Sequence, residues 1–295
     1  MAPPPSPPPS SPSGNRFVGL DDADALTAAE QFLLRDCMRK AGFAYVVTDP
    51  RAVPEVRDFP YVIDDVSWAR RHGYGTDLRR RQERAMADDP NERYFQSLPA
   101  QRKAAALAAA NGTDPDRLTI TTVDGAQYGR DSHSCGSQAQ QRLYGDLAGW
   151  FGARASMDAI TAMRTGAVRA HPAFIRATRP WADCMRRSGH PHASPSSLRA
   201  ALSDPRHPLP KATEIDLATG EATCARRAGL ATTATALDRH YDTVLRARYP
   251  SVVATYERLR AAALPKARSI VAIERGDLSP ASAGITTTQG ETPCA

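Results

Sequence analysis

The residues with chemistry to offer are five cysteines, seven histidines and a few paired carboxylates. The cysteines form the clearest pattern. Residues 36–42 read DCMRKAG, and residues 183–189 read DCMRRSG, 147 positions further on. A looser copy, TCARRAG, covers 223–229. Cys135 follows DSHS, and Cys294 lies next to the last residue. The inner four, Cys37, Cys135, Cys184 and Cys224, are disulfide candidates for an oxidising compartment. Two other states compete: buried free thiols in a cytosolic chain, or metal ligands. The cysteines stand 40 or more residues apart with no C-x2-C pair, which is unlike a structural zinc site. Four cysteines allow three pairings. Matching phrases favour Cys37 with Cys184 and Cys135 with Cys224, each closing a loop of more than about 80 residues.

Other candidates are thinner. His190-Pro-His192, with His171 and His207 nearby in sequence, could bind a transition metal if a carboxylate or another histidine joined the pair, but an H-x-H with an intervening proline in a loop is common by chance. The run His133-Ser134-Cys135 puts a possible thiolate near a helix start, where its pKa would fall, but a disulfide would silence it. Asp64-Asp65 and Asp88-Asp89 diverge on a helix, so neither makes a catalytic pair. No phosphate-binding glycine loop and no G-x-S-x-G elbow occurs. No catalytic, cofactor-binding or metal residue is therefore assigned, and the reading leans away from an enzyme. An enzyme whose site is not a sequence motif remains the alternative, with Trp68, His72, Tyr74 and Trp181 as candidates for a pocket. Arg70, Arg71, Arg79, Arg80, Arg81 and Arg84 make a possible anionic-ligand face. Asp77, Glu83, Asp88 and Asp89 dilute it, and no helix-turn-helix or RNA-binding signature accompanies it, which argues against nucleic acid.

The elements that would position these residues are mostly helical. Ala and Leu are abundant, and aromatics make up only 6% of the 295 residues. Residues 1–20 read as a Pro/Ser-rich tether, 21–275 as one helical domain and 276–295 as a disordered tail. Thr27 and Glu30 have capping-box spacing for a first helix that Gly42 ends. There Met38 falls three positions before the cap and meets Phe43 beyond it, as in a Schellman ending, with Arg39 and Lys40 complementing the dipole. The same grammar fits Cys184 to Gly189 and Cys224 to Gly229. Asp64 or Asp65 starts a second helix, LRRRQERAM and NERYFQSL follow, and Pro99 opens another that Asn111-Gly112 closes. Residues 117–129 alternate around Asp124-Gly125, a two-residue hairpin signal. Helical texture returns from 135 to 151. A short helix is expected over 158–166, another opens at Pro172 and breaks at Pro180, and a Pro/His-rich loop spans 203–210. Leu237, Tyr241, Val244 and Leu245, then Val252, Val253, Tyr256 and Leu259, predict two final helices with one buried face.

Net charge is +6, and only four of the 38 basic residues are Lys, leaving 34 Arg. That balance permits association with anionic polymers without demanding it. No apolar run approaches the length of a membrane span.

Five phrases in order, FLLRDCMRKAGFAY, IDDVSWARRHGYG, SCGSQAQQRLYGD, PWADCMRRSGH and CARRAGL, resemble a set of uncharacterised secreted or lipid-anchored proteins of actinobacteria. The resemblance covers most of residues 31–250. It implies export, as a lipoprotein or wall-associated form with paired cysteines, and it implies no activity. Two departures stand: no lipobox precedes the Pro/Ser tract, and His190 follows the second phrase where an aromatic is expected. The combined expectation is a mainly α, single-domain bundle with one hairpin near 117–129. It would be stapled by disulfides outside the cytoplasm, binding an envelope partner or anionic polymer, with a cytosolic nucleic-acid binder as the remaining alternative.

Overall fold

Asp21 starts the first helix. Its carboxylate accepts from the amides of Ala23 and Asp24, both at 2.9 Å, so α1 (Asp22–Lys40) begins ahead of the expected Thr27. Thr27 instead bonds back to the Ala23 carbonyl within the helix. At the other end the expected Schellman motif is present. The Phe43 amide donates to the Met38 carbonyl at 2.9 Å and the Gly42 amide to Arg39 at 3.0 Å. Gly42 adopts φ +82°, the left-handed region that favours glycine. The second phrase repeats this: His190 donates to Met185 at 2.9 Å, Gly189 donates to Arg186 at 3.1 Å, and Gly189 has φ +82°.

The computed structural model describes residues 17–51, 53–202 and 209–279. Twelve helices and one two-stranded sheet occur among the described residues. After α1 come α2 (Val66–His72), α3 (Thr76–Ala87), α4 (Pro90–Ser97) and α5 (Ala100–Asn111). The hairpin β1 (Leu118–Thr121) and β2 (Gln127–Arg130) is antiparallel, with Leu118 opposite Arg130. Its turn holds three residues rather than two, because the Thr122 amide already donates to Ala126 at 2.9 Å and Gly125 sits at φ +88°.

Two long helices replace pieces that the sequence divides. Helix α6 (Cys135–Tyr144) ends at Gly145, and α7 then runs unbroken from Leu147 to Ala170. Asp158, the expected start of a short helix, is an exposed position inside α7. Helix α8 (Pro172–Arg187) passes straight through Pro180, which faces solvent, so water can satisfy the carbonyl that proline leaves unbonded. Helices α9 (Pro195–Leu202), α10 (Lys211–Arg227), α11 (Leu230–Arg248) and α12 (Pro250–Arg275) complete the chain. The last two are the expected pair broken at Pro250. The expected loop at 203–210 falls, as far as 203–208, outside the described residues.

Two bodies of helices share α7, which packs on α12 of the first and on α11 of the second. Phe32, Leu33, Leu143, Trp150, Ala263 and Val271 centre the first, from α1, α6, α7 and α12. Phe17 is buried there too, against Phe32 with ring centroids 5.2 Å apart, so the packed chain starts before residue 21. The remainder of the expected tether, residues 1–16, and of the C-terminal tail, 280–295, lies outside the described residues. Trp181, Met185, Leu198 and Leu230 centre the second body, from α8–α11. Helix α2 lies on α10 through Trp68, Ala69, Ala218 and Ala222.

Both inner cysteine pairs are oxidised, but not in the expected pairing. Cys37 bonds Cys135, and Cys184 bonds Cys224. The two DCM phrases cannot meet, because α1 packs on α12 and α6 whereas α8 packs on α11 and α10. Each phrase instead ties its own helix end to the nearest neighbour: α1 to the first residue of α6, and α8 to the last turn of α10. The pairs close loops of 98 and 40 residues by sequence separation. In the chain-entropy model the longer is worth about 5 kcal/mol and the shorter about 4 kcal/mol. Replacing Cys37 and Cys135 together by Ser should therefore lower the unfolding free energy more than replacing Cys184 and Cys224, as read by urea denaturation. Non-reduced peptide mass spectrometry should recover the 37–135 and 184–224 links; a 37–184 link contradicts the structure.

Candidate functional site

Glu214 and Glu221 stand seven residues apart on α10, two turns along one face, with Leu217 and Ala218 between them. That face is the buried one. Glu214 is 2% exposed and Glu221 fully buried, which is tolerable for a carboxylate only where donors replace water. The connection from Phe59 to Leu78 supplies those donors. Glu214 Oε1 accepts the Tyr74 amide at 2.7 Å and the Thr76 amide at 3.3 Å, while its Oε2 takes the Thr76 hydroxyl and faces Lys211 Nζ at 3.3 Å. Glu221 accepts the Tyr74 hydroxyl at 2.7 Å and the Ile63 amide at 3.3 Å. Two acids on one helix thus pin both ends of α2.

Close approach explains Gly73. It has φ +59°, and a Cβ there would come within 2.8 Å of the Glu214 carboxyl. Beside it, Lys211 Nζ donates to the His72 carbonyl at 2.7 Å and to Asp77 Oδ1 at 2.8 Å, and His72 Nδ1 meets Asp77 Oδ2 at 2.9 Å. Burial pushes the Asp77 carboxyl up, but its bonds from Lys211 and His72 outweigh this and hold it down at about 2. Burial also pushes Glu221 above the usual carboxylate range, against the pull of Tyr74, Arg199 and the Ile63 amide. Tyr74 is raised by burial and by the charge of Glu221.

This carboxylate lock fixes the base of α3 and nothing further along it. Leu78 is 2% exposed; every residue from Arg79 to Asp88 is exposed, on all sides of the helix. Ten residues make a rod of about 15 Å standing in solvent. Isolated helices of that length are marginal in water, so this one depends on its anchored first turn and on good helix formers. Arg79, Arg80 and Arg84 make no ion pair among the described residues, nor do the exposed Arg70 and Arg71 at the end of α2. Arg81 differs, pairing with Glu55 at 3.1 Å. The acids expected to dilute the basic run are partly withdrawn. Asp77 is turned into the lock, and Asp89 caps α4 through the Asn91 amide at 2.8 Å. Glu83 and Asp88 alone share the exposed rod.

Of the four pocket candidates, the structure brings three together. Trp68, His72 and Tyr74 surround the lock, with the Trp68 and His72 ring centroids 5.4 Å apart and Trp68 Nε1 donating to the Glu55 carbonyl at 2.9 Å. Trp181 does not join them. It is fully buried in the α8–α11 body, and its indole N–H has no partner among the described residues. The histidines serve locally: His171 caps α8 through the Ala173 amide, and His190 pairs with Asp216 at 3.0 Å. His207 lies outside the described residues. Among the described residues no group of three or more His, Cys, Asp or Glu is arranged to hold a metal, and no helix is long and apolar enough to cross a membrane. No protein-family model, curated protein or solved structure matches this chain.

Sequence reasoning missed Glu214, Glu221 and Lys211. Their signal was present: the helical text KATEIDLATGEATCARR carries two acids at i and i+7, placed where an apolar stripe continues through Leu217, Ala218 and Ala222. Charges in stripe positions announce buried partners. Glu214→Ala leaves the Tyr74 and Thr76 amides without their acceptor, and should cost about 3 kcal/mol in chemical denaturation. The pH response separates the two acids' neighbourhoods. Glu221 titrates higher in the native state than its ordinary 4.5, so its contribution is fully present below about pH 4.5 and is lost as pH rises. Glu221→Gln should therefore gain stability relative to the parent as pH rises from 4.5 towards 8. Asp77 works oppositely: its contribution is present above about pH 4 and is lost as pH falls towards 2.

Proposed function

We propose that this is a non-enzymatic, extracytoplasmic binding protein that engages a phosphate-bearing anionic polymer of the cell envelope through the arginines of α2 and α3. One observation carries the reading: α3 projects past Leu78 with every side chain in solvent and with Arg79, Arg80 and Arg84 unpaired among the described residues. A rod of unpaired guanidiniums, anchored at one end, can lie along a flexible polyanion and form bidentate contacts with successive phosphates. Two disulfides favour an oxidising compartment. The likeness of the five sequence phrases to secreted or lipid-anchored actinobacterial proteins supports the same placement, with the Pro/Ser-rich first residues as a tether.

The test is binding of the purified, oxidised protein to fluorescent inorganic polyphosphate across a salt series. Arg79→Gln, Arg80→Gln and Arg84→Gln together should weaken binding at least about 10-fold and make the slope of log K against log salt less negative by about 2, since each lost phosphate contact removes roughly 0.7–0.9. The melting temperature should not move, because the three side chains touch nothing buried. Undiminished binding by the variant overturns the assignment. Tighter binding to duplex DNA than to polyphosphate favours the cytosolic nucleic-acid reading instead.

A further inference from the structure

The Cys37–Cys135 disulfide lines a cavity of about 390 Å³ between the last turns of α1 and α5 and the first turns of α6. Its size falls in the range of small-molecule sites. The floor is apolar, from Leu33, Ala108 and Ala139, with both cysteines set into it. Cys37 is the more exposed of the two, and Cys135 is 4% exposed. The other disulfide is held differently. Cys224 is 1% exposed in the core of the α8–α11 body, Cys184 packs against that core, and the Ser188 hydroxyl lies 3.7 Å from the Cys224 sulfur. Both pairs are mostly buried, and the cavity gives small molecules a route to the first.

The rim of the cavity is cationic. Lys40 ends α1, Arg142 lies two turns into α6, and both are exposed at the opening. Neither makes an ion pair among the described residues. His133 stands between Asp131 and the cavity, with its Nδ1 3.8 Å from Asp131 Oδ1. That carboxylate is already taken up by the amides of Thr113, Asp114 and His133. An incoming molecule therefore meets two uncompensated positive charges before it reaches the sulfurs. Cys135 is also the first residue of α6. If the bond opens, its thiolate is left at the positive end of a helix, which favours it as the leaving group.

We propose that Cys37–Cys135 is a thiol-exchange site, opened in the folded protein by small carboxylate-bearing thiols that enter this cavity past Lys40 and Arg142. The thiolate attacks the Cys37 sulfur; a new S–S bond forms there as the bond to Cys135 breaks, and Cys135 leaves as a thiolate that takes a proton from water. A second small thiolate attacks the sulfur of the first and releases the Cys37 thiolate. The two small thiols depart joined as a disulfide, having given two electrons to the cysteine pair. The Cys184–Cys224 staple stays closed, so the helix carrying the lock keeps its tie. This site does not rest on the polymer reading.

The probes are mercaptopropionate and cysteamine, matched small thiols of opposite charge, added at equal thiolate concentration to the oxidised full chain. Samples are quenched by alkylation, and each link is followed by peptide mass spectrometry. With mercaptopropionate the 37–135 link should open at least about 10-fold faster than the 184–224 link, since a cleft of one charge sign raises encounter rates by at least that factor. Lys40→Gln with Arg142→Gln should cut the advantage of mercaptopropionate over cysteamine at 37–135 at least about 3-fold. Comparing parent with variant cancels the intrinsic reactivity of the two thiols, and the melting temperature should not move because both side chains are exposed. The triple arginine variant of α3 should exchange at the parent rate, which separates failure here from failure of the polymer reading. Opening of both links at equal rates, opening of 184–224 first, no opening without unfolding, or a charge preference unchanged in the double variant overturns the proposal.

Discussion

Two ionisable side chains without water are the constraint on which this molecule turns. Glu214 and Glu221 are buried on α10, and the interior admits them only because the Phe59–Leu78 connection brings amides and hydroxyls to their oxygens, with the ammonium of Lys211 added from α10 itself. That requirement acts in both directions. The acids need the connection, and the connection, whose apolar anchors are Tyr61, Val62, Ile63, Trp68, Ala69 and Leu78, is held in register by the acids. A wrong register of α2 against α10 would leave carboxylates unpaired, so the lock specifies one docking geometry. Gly73 is the backbone counterpart, the position where only a missing Cβ permits the approach to Glu214.

The disulfides work at a different level. They sit at helix ends, where the Schellman turns leave an inward cysteine one residue before the methionine that contacts the chain beyond the cap. One staple closes the contact of α1 with α6 and the other that of α8 with α10. Because α10 also carries both buried acids, the second staple holds the end of the helix on which the lock is built. Rigidity is thus concentrated beneath α2 and α3, and exposure is concentrated on them. A framework of this kind suits binding: the arginine rod is presented from a fixed base while its outer turns remain in water.

Much of the fold was legible from local chemistry, and the failures have physical causes. Gly42, Gly189 and their basic flanks announced helix endings that the structure reproduces hydrogen bond by hydrogen bond. Asp65, Pro99, Pro172 and Pro250 marked helix starts correctly, since caps and prolines act within a turn. Pro180 misled because a proline's cost depends on which side of the helix it faces, and that is a tertiary fact. The pairing of the cysteines misled for the same reason: similar phrases share a local job, while partners are decided by which helices pack together. The arginine run was visible in sequence, but its significance was not, because Asp77 counts as dilution until it is seen turned towards Lys211. The two acids stood out as charges in the apolar stripe of α10, but the amides they bind lie more than a hundred positions away, and no spacing within one element announces those partners.

Native-state hydrogen exchange at the amides of Ile63, Tyr74 and Thr76 tests the central claim most directly. If the buried carboxylates hold the connection in place, these three amides exchange only through the large opening that also exposes α10, and they match its slowest amides in protection. The outer turns of α3, from Arg79 onward, exchange much faster. Exchange of Tyr74 and Thr76 at the rate of those outer turns, with α10 still protected, would show that the connection opens without breaking the interior and would contradict the account.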